Sequence, residues 1–156
     1  MENIYLKQLD SHPKDATVLF KVMMRFEFAL KDAGFLSANT NGSVKVDWDS
    51  FANHGLPRKF FDNVKSSGFA KTLLTKPPSR QLVRYGSLDF DDAKSPIDNQ
   101  QLIGAVCRVR NNLFHGGKSG DRDHARNDEL VSDALYVIKE AIKSHKEVRA
   151  RFEGLY

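Results

Sequence analysis

The stretch Leu102-Ile103-Gly104-Ala105-Val106-Cys107-Arg108-Val109-Arg110-Asn111-Asn112-Leu113-Phe114-His115-Gly116-Gly117 decides the fold class. Leu102, Val106, Val109 and Leu113 recur at spacings of three and four, so they share one face of a helix. This predicts a helix from about Asp98 to His115. Gly116-Gly117 closes it, because glycine takes the left-handed C-terminal cap conformation at little cost.

Two further helices flank this one in sequence. Val18, Leu19, Val22, Met23, Phe26, Ala29, Leu30 and Ala33 form an apolar face over about Asp15 to Leu36, with Pro13 ahead of it and Gly34 near its end. Val131, Leu135, Ile138, Ile142, His145 and Phe152 form another, widened by Leu130, Ala134 and Ala141, in one long helix from about Asp123 to Glu153. Asn39-Thr40-Asn41-Gly42 reads as a turn. Val44 to Trp48 alternates with period two, as a short strand or an extended segment packed on helices does. Pro57 to Val64 suits a short helix with proline in its first turn. Gly68, Pro77-Pro78 and Gly86 punctuate residues 66–96, which read as loops and short helices. The expected fold is all-α: an up-and-down helical bundle of roughly four to five helices. An irregular insertion separates the first helix from the last two long ones. Residues 1–156 make one domain, a length able to bury a sizeable core.

Apolar residues make up 40% of the chain and charged residues 28%, as in ordinary soluble proteins. The single Cys107 excludes an internal disulfide framework and fits a reducing compartment; within an apolar helix it reads as a small buried hydrophobe. Residues 1–30 lack the regions of a secretory signal, and no run of apolar residues suffices for a membrane span. The expected location is the cytoplasm. The net charge of +4 is unevenly spread. Pro57 to Tyr85 holds seven cations (Arg58, Lys59, Lys65, Lys71, Lys76, Arg80, Arg84) against Asp62 alone. Gly86 to Gln100 reverses the balance, with Asp89, Asp91, Asp92 and Asp98 against Lys94. The basic segment is either a surface that tracks a phosphate backbone, with Lys71, Lys76, Arg80 and Arg84 as contacts, or a solvated basic face.

Chemistry concentrates at Arg110-Asn111-Asn112-Leu113-Phe114-His115-Gly116-Gly117-Lys118. A histidine can serve as general acid or base at cellular pH. The Arg110 guanidinium fork can clamp two phosphate oxygens. Asn111 stands four residues before His115, on the same helix face, where its amide can orient the imidazole or a phosphate. Lys118 can add a further donor to an anion. Five residues of ideal helix turn through about 500°, so Arg110 and His115 diverge by roughly 140°. Convergence on one phosphate then needs the reach of arginine, a distorted last turn, or a second subunit.

The order Arg110-Asn111-x-x-x-His115 resembles the defining Arg-polar-x(3–5)-His motif of the HEPN superfamily, small all-α ribonucleases and nucleotide-binding domains. Arg25-Phe26-Glu27-Phe28-Ala29-Leu30-Lys31 is similar to the Arg-Phe-Glu-aromatic helix of some bacterial and plasmid-borne members. The likeness covers residues 15–37 and 97–153. It implies a metal-independent ribonuclease without cofactor, in which the RNA 2′-hydroxyl attacks its own phosphodiester to leave a 2′,3′-cyclic phosphate. His115 would be the acid/base, Arg110 would steady the phosphorane charge, and Asn111 would position one of them. Glu27 would partner Arg110; from spacing alone it forms a surface pair with Lys31. The resemblance also implies RNA as partner, a homodimer with a composite site, and a role as a toxin or in phage defence. Some relatives pair with a nucleotidyltransferase antitoxin that modifies a tyrosine two residues after the histidine. That position here is Gly117, which puts such modification in doubt. Other members only bind RNA or nucleotides, which is the alternative function; an interaction domain without nucleic acid is a third.

The remaining candidates are weaker. His12, His54, His124 and His145 lack metal-ligand spacing with one another or with Cys107. Asp121-Arg122-Asp123-His124 reads as a loop and helix cap. Asp89-Phe90-Asp91-Asp92 lacks the glycine and distal glutamate of a calcium loop. No metal site is expected.

Overall fold

The first apolar stripe folds as α1, Ala16–Asp32, which buries Leu19, Met23, Phe26, Ala29 and Leu30. The computed structural model describes residues 12–116 and 123–155. α1 is shorter than its periodicity predicts. Ala33 caps it, and Gly34 turns the chain in the left-handed region at φ 96°. The next residues are extended: β1 (Leu36–Ala38) pairs antiparallel with β2 (Val44–Val46), with Leu36 opposite Val46. The alternating segment at Val44 thus finds its partner just past the first helix, in residues of which only Leu36 falls within the expected helix. The Asn39 amide donates to Ser43 Oγ at 2.8 Å and fixes the connecting turn.

Asp47 caps the short α2 (Trp48–Ser50) by accepting the Ser50 N–H at 2.9 Å. The chain continues into a π-helical turn, Phe51–Gly55, whose wide loop closes with Leu56 N–H donating to the Phe51 carbonyl at 3.0 Å. Gly55 is required there, since a Cβ would lie 2.6 Å from the Phe51 ring and 2.8 Å from that of Phe35. Phe51 meets Phe26 and Phe35 edge-on at 5.7 and 5.2 Å between centroids. Such tilted pairs suit the quadrupoles of the rings.

The middle of the chain departs most from expectation. α3 (Phe60–Ser67) and α4 (Lys71–Thr75) are the short helices anticipated there. They are followed by a hairpin of β3 (Gln81–Arg84) and β4 (Ser87–Phe90), with Arg84 opposite Ser87. Its two turn residues, Tyr85 and Gly86, both take positive φ, 51° and 75°, as two-residue hairpin turns demand. Among the described residues the fold is therefore mostly helical with two small antiparallel sheets, rather than an all-α bundle.

α5 (Asn99–Phe114) is capped by Asp98, which accepts the Gln101 N–H at 2.8 Å, and it buries Leu102, Ile103, Ala105, Val106 and Val109. α6 (His124–Ser144) packs on α5, α1 and α4. The expected single last helix is broken. His145 leaves helical geometry (φ −130°, ψ 107°), and its Nδ1 accepts the Val148 N–H at 3.3 Å, capping α7 (Lys146–Glu153). The His145 ring lies edge-on to Phe35 at 5.3 Å, so its place in the apolar stripe and its capping role are met together. Arg25 ties α7 to α1, donating to the carbonyls of Phe152 (2.9 Å) and Arg151 (3.1 Å). Among the described residues, no helix is long and apolar enough to cross a membrane.

Polar side chains on α5 and α6 secure the irregular middle. Asp133 on α6 accepts the Leu73 N–H at 2.9 Å, which holds the start of α4; burial raises its carboxyl above the ordinary range. Arg126 donates to the carbonyls of Lys76 and Pro77 at 3.0 and 2.9 Å. Asn112 on α5 donates to the Ser79 carbonyl at 3.0 Å and pins the root of the β3–β4 hairpin beside the end of α5. That contact shapes one side of the site.

Candidate functional site

The end of α5 carries the side chains singled out in the sequence. Arg110 reaches back to α1, where its Nη2 lies 2.8 Å from Glu27 Oε1; the two side chains are 24% and 29% exposed. Glu27 therefore faces Arg110 rather than forming a surface pair with Lys31. The Arg110 Nε is buried and has no hydrogen-bond partner. His115 is the cap of α5 and leaves helical geometry at φ −97°, ψ 18°, with its N–H on the Asn111 carbonyl at 2.9 Å.

The divergence expected on an ideal helix does not keep the two side chains from one cavity. Glu27, Arg110 and His115 border one cavity of 490 Å³, together with Phe20, Met24 and Phe114. Arginine and histidine thus reach the same space within one chain. The Phe20 and Phe114 rings lie 5.3 Å apart at the rim and are 44% and 49% exposed.

Asn111 opens on the other side of His115. There a cavity of 260 Å³ is bordered by Arg80, Gln81, Arg108, Asn111, Asn112 and His115. His115 is the residue the two cavities share. Arg108 was not among the sequence candidates, although a signal was present. Arg108, Asn111, Asn112 and His115 stand at i, i+3, i+4 and i+7, one polar stripe on α5. No family model matches the chain, and no curated protein or solved structure does either.

The other candidates scatter. Lys118, with Gly117, lies outside the described residues. Lys71 and Lys76 are exposed, and neither borders the two cavities around His115. Arg80 pairs with Asp91 at 3.3 Å and Arg84 with Asp89 at 3.1 Å, both across the β3–β4 hairpin. The basic segment and the acidic one after it are thus partners, and the cationic surface is smaller than the sequence implies. Burial pushes the Cys107 thiol up to about 12, against the opposing pull of Arg110, which makes it an inert neighbour. Among the described residues, no group of three or more His, Cys, Asp or Glu side chains could hold a metal ion.

Proposed function

We propose that the protein is an endoribonuclease that works without metal. The observation that carries this reading is the single cavity bordered by Arg110 and His115, with Glu27 holding the guanidinium. A phosphodiester lying there meets a cation and a proton acceptor at once. His115 takes the proton of the RNA 2′-hydroxyl as the bond from that oxygen to phosphorus forms. The bond from phosphorus to the 5′-oxygen breaks, and the departing oxygen takes a proton from water. Arg110 stabilises the charge on the five-coordinate phosphorus. The products are a 2′,3′-cyclic phosphate and a 5′-hydroxyl.

Glu27 favours one alternative. Its carboxylate already occupies part of the guanidinium that a phosphate would use, as in a module that binds RNA or a nucleotide without cutting it. Incubation of RNA with the purified protein in EDTA separates the two. Cleavage with cyclic-phosphate ends, lost in His115→Ala and Arg110→Ala while the helical circular dichroism stays intact, supports the enzyme. Binding without any cleavage, with or without added metal, supports the module.

The same reading includes a two-fold homodimer. Phe20, Met24 and Phe28 repeat every four residues on α1, all exposed, and Phe114 joins them beside the cavity. An apolar patch of this kind, paired with its own copy, brings the two sites close together. Light scattering that gives a monomer at all concentrations removes the dimer.

A further inference from the structure

The second arginine near the end of α5 has no part in the cleavage chemistry above. Arg108 borders the cavity beneath the root of the β3–β4 hairpin, on the far side of His115 from Arg110. Each of the six residues around that cavity has a polar side chain: two guanidiniums, three amides and the imidazole. None is a carboxylate. Arg80 is held from the hairpin by Asp91, while Asn112 is held by the Ser79 carbonyl. Arg108 pairs with no carboxylate among the described residues, and its Nε is buried without a hydrogen-bond partner. The cavity around Arg110 is different, because Glu27 balances its guanidinium.

We propose that the Arg108 cavity is a second phosphate subsite, which takes the backbone phosphate next to the one cleaved. A half-buried guanidinium whose buried Nε has no hydrogen-bond partner, and which has no carboxylate paired with it, favours an anion. The amides of Gln81 and Asn111 supply neutral donors beside it. A strand passing over His115 sets one phosphate toward Arg110 and the neighbouring one toward Arg108. The identity of the ligand as an RNA strand rests on the ribonuclease reading; the anion chemistry rests on the cavity itself. Arg108 and Gln81 become binding residues, and Asn111 acts on the binding side of His115.

The test measures binding apart from cleavage. A 2′-O-methyl oligoribonucleotide has no attacking hydroxyl, so its affinity is read by fluorescence anisotropy over a range of salt. Arg108→Gln should weaken binding about tenfold, as expected for one charge-assisted contact. It should also lower the salt slope by about 0.7, the value for one phosphate of a single strand. Arg108→Lys should fall between, since it keeps the charge and loses the planar fork. In the wild-type protein, inorganic phosphate should shift the Nε resonance of Arg108 and the ring resonances of His115. That measurement decides the matter even if Arg108→Gln fails to fold. An unmoved Arg108 resonance, or unchanged affinity and slope in a folded Arg108→Gln, overturns the proposal. So does a phosphate-induced shift without any effect of Arg108→Gln on the oligonucleotide, which marks a site for free phosphate. If Arg108 governs binding and no RNA is cut, the subsite stands and the ribonuclease reading falls. If RNA is cut and Arg108→Gln binds normally, the reverse holds.

Discussion

Arg108 and Arg110 sit two residues apart on one helix and meet opposite surroundings. Arg110 turns toward α1, where Glu27 takes one edge of its guanidinium at 2.8 Å and aromatic side chains form the rim. Arg108 turns toward the hairpin root, among amides and a second guanidinium, with no carboxylate. One arginine is held in place by an acid; the other is left with unspent charge. The contrast separates two tasks that a phosphate-handling site needs. On the proposed reading, a guanidinium fixed by a carboxylate has a defined geometry for a reacting group, while an unbalanced one would attract the strand. His115, at the end of the helix and outside helical geometry, is the joint between them.

Removing that joint should have the largest effect. His115→Ala takes a side chain from both cavities, and cleavage should fall by about 10²- to 10⁴-fold, the usual contribution of a general acid/base. Helical circular dichroism should be unchanged, since the side chain borders cavities rather than the core. A variant that keeps more than a tenth of the activity breaks the comparison at its centre.

Next comes the balanced arginine. Arg110→Ala should abolish most cleavage and leave Glu27 as an uncompensated half-buried carboxylate, at a cost of about 1–3 kcal/mol in stability. Glu27→Gln should be milder, because the amide oxygen can still accept from Arg110. The double variant should be more stable than the sum of the single losses predicts. Denaturant melts of the four proteins measure the coupling; strict additivity would mean that the 2.8 Å pair does not organise the site. Mixing Arg110→Ala with His115→Ala protomers should restore no activity, because both residues border one cavity in one chain. Recovered activity would instead assign the two residues to different subunits.

How far the sequence could reveal this site depends on the kind of regularity each part has. α1, α5 and α6 repeat their apolar residues every three or four positions, and that pattern alone marks their interior faces. The hairpins have no such repeat, and only Val44 to Trp48 carries the period-two alternation of a strand. β1 has only three residues and begins at Leu36, the expected end of the first helix. β3 and β4 are largely solvent-facing, with Val83 79% and Leu88 66% exposed, so no buried alternation marks them. Their turn is Tyr85-Gly86 rather than the asparagine-glycine that signals a tight hairpin. The break at His145 was hidden because an imidazole can serve both an apolar cluster and a helix cap. Arg110, Asn111 and His115 were visible as a motif. Arg108 was not, because it precedes the motif and is joined to it only through the polar face it shares with Asn111, Asn112 and His115.

Asn112 tests whether the hairpin is needed to form the unbalanced side. Its amide is buried and joins α5 to the Ser79 carbonyl. Asn112→Ala should cost about 1–2 kcal/mol, because it leaves a carbonyl without its donor. Oligonucleotide affinity should fall a few-fold as Arg80 and Gln81 lose their positions over Arg108. The Glu27–Arg110 side should be untouched, so that cleavage of a dinucleotide too short to reach Arg108 proceeds as in the wild type. Equal losses on long and short substrates would show that the two sides are not separable.

The smallest effects should come from the hairpin arginines, and they sharpen the comparison because the two are nearly alike. Arg80 and Arg84 lie on the same strand or at its edge, and each pairs with an aspartate across the hairpin at 3.3 and 3.1 Å. Both are more than half exposed, so neither pair should contribute more than about 1 kcal/mol to stability. Arg80 borders the Arg108 cavity and Arg84 does not. If local charge alone attracts RNA, Arg80→Ser and Arg84→Ser should lower the salt slope of oligonucleotide binding equally. If the cavity matters, Arg80→Ser should lower it by up to about 0.7 and Arg84→Ser by much less, since both have an aspartate partner and only Arg80 borders the cavity. Lys71→Ser and Lys76→Ser, exposed and outside both cavities, set the scale for purely diffuse attraction. An Arg84 effect as large as that of Arg80 would return the whole basic segment to the role of a uniform phosphate-tracking surface.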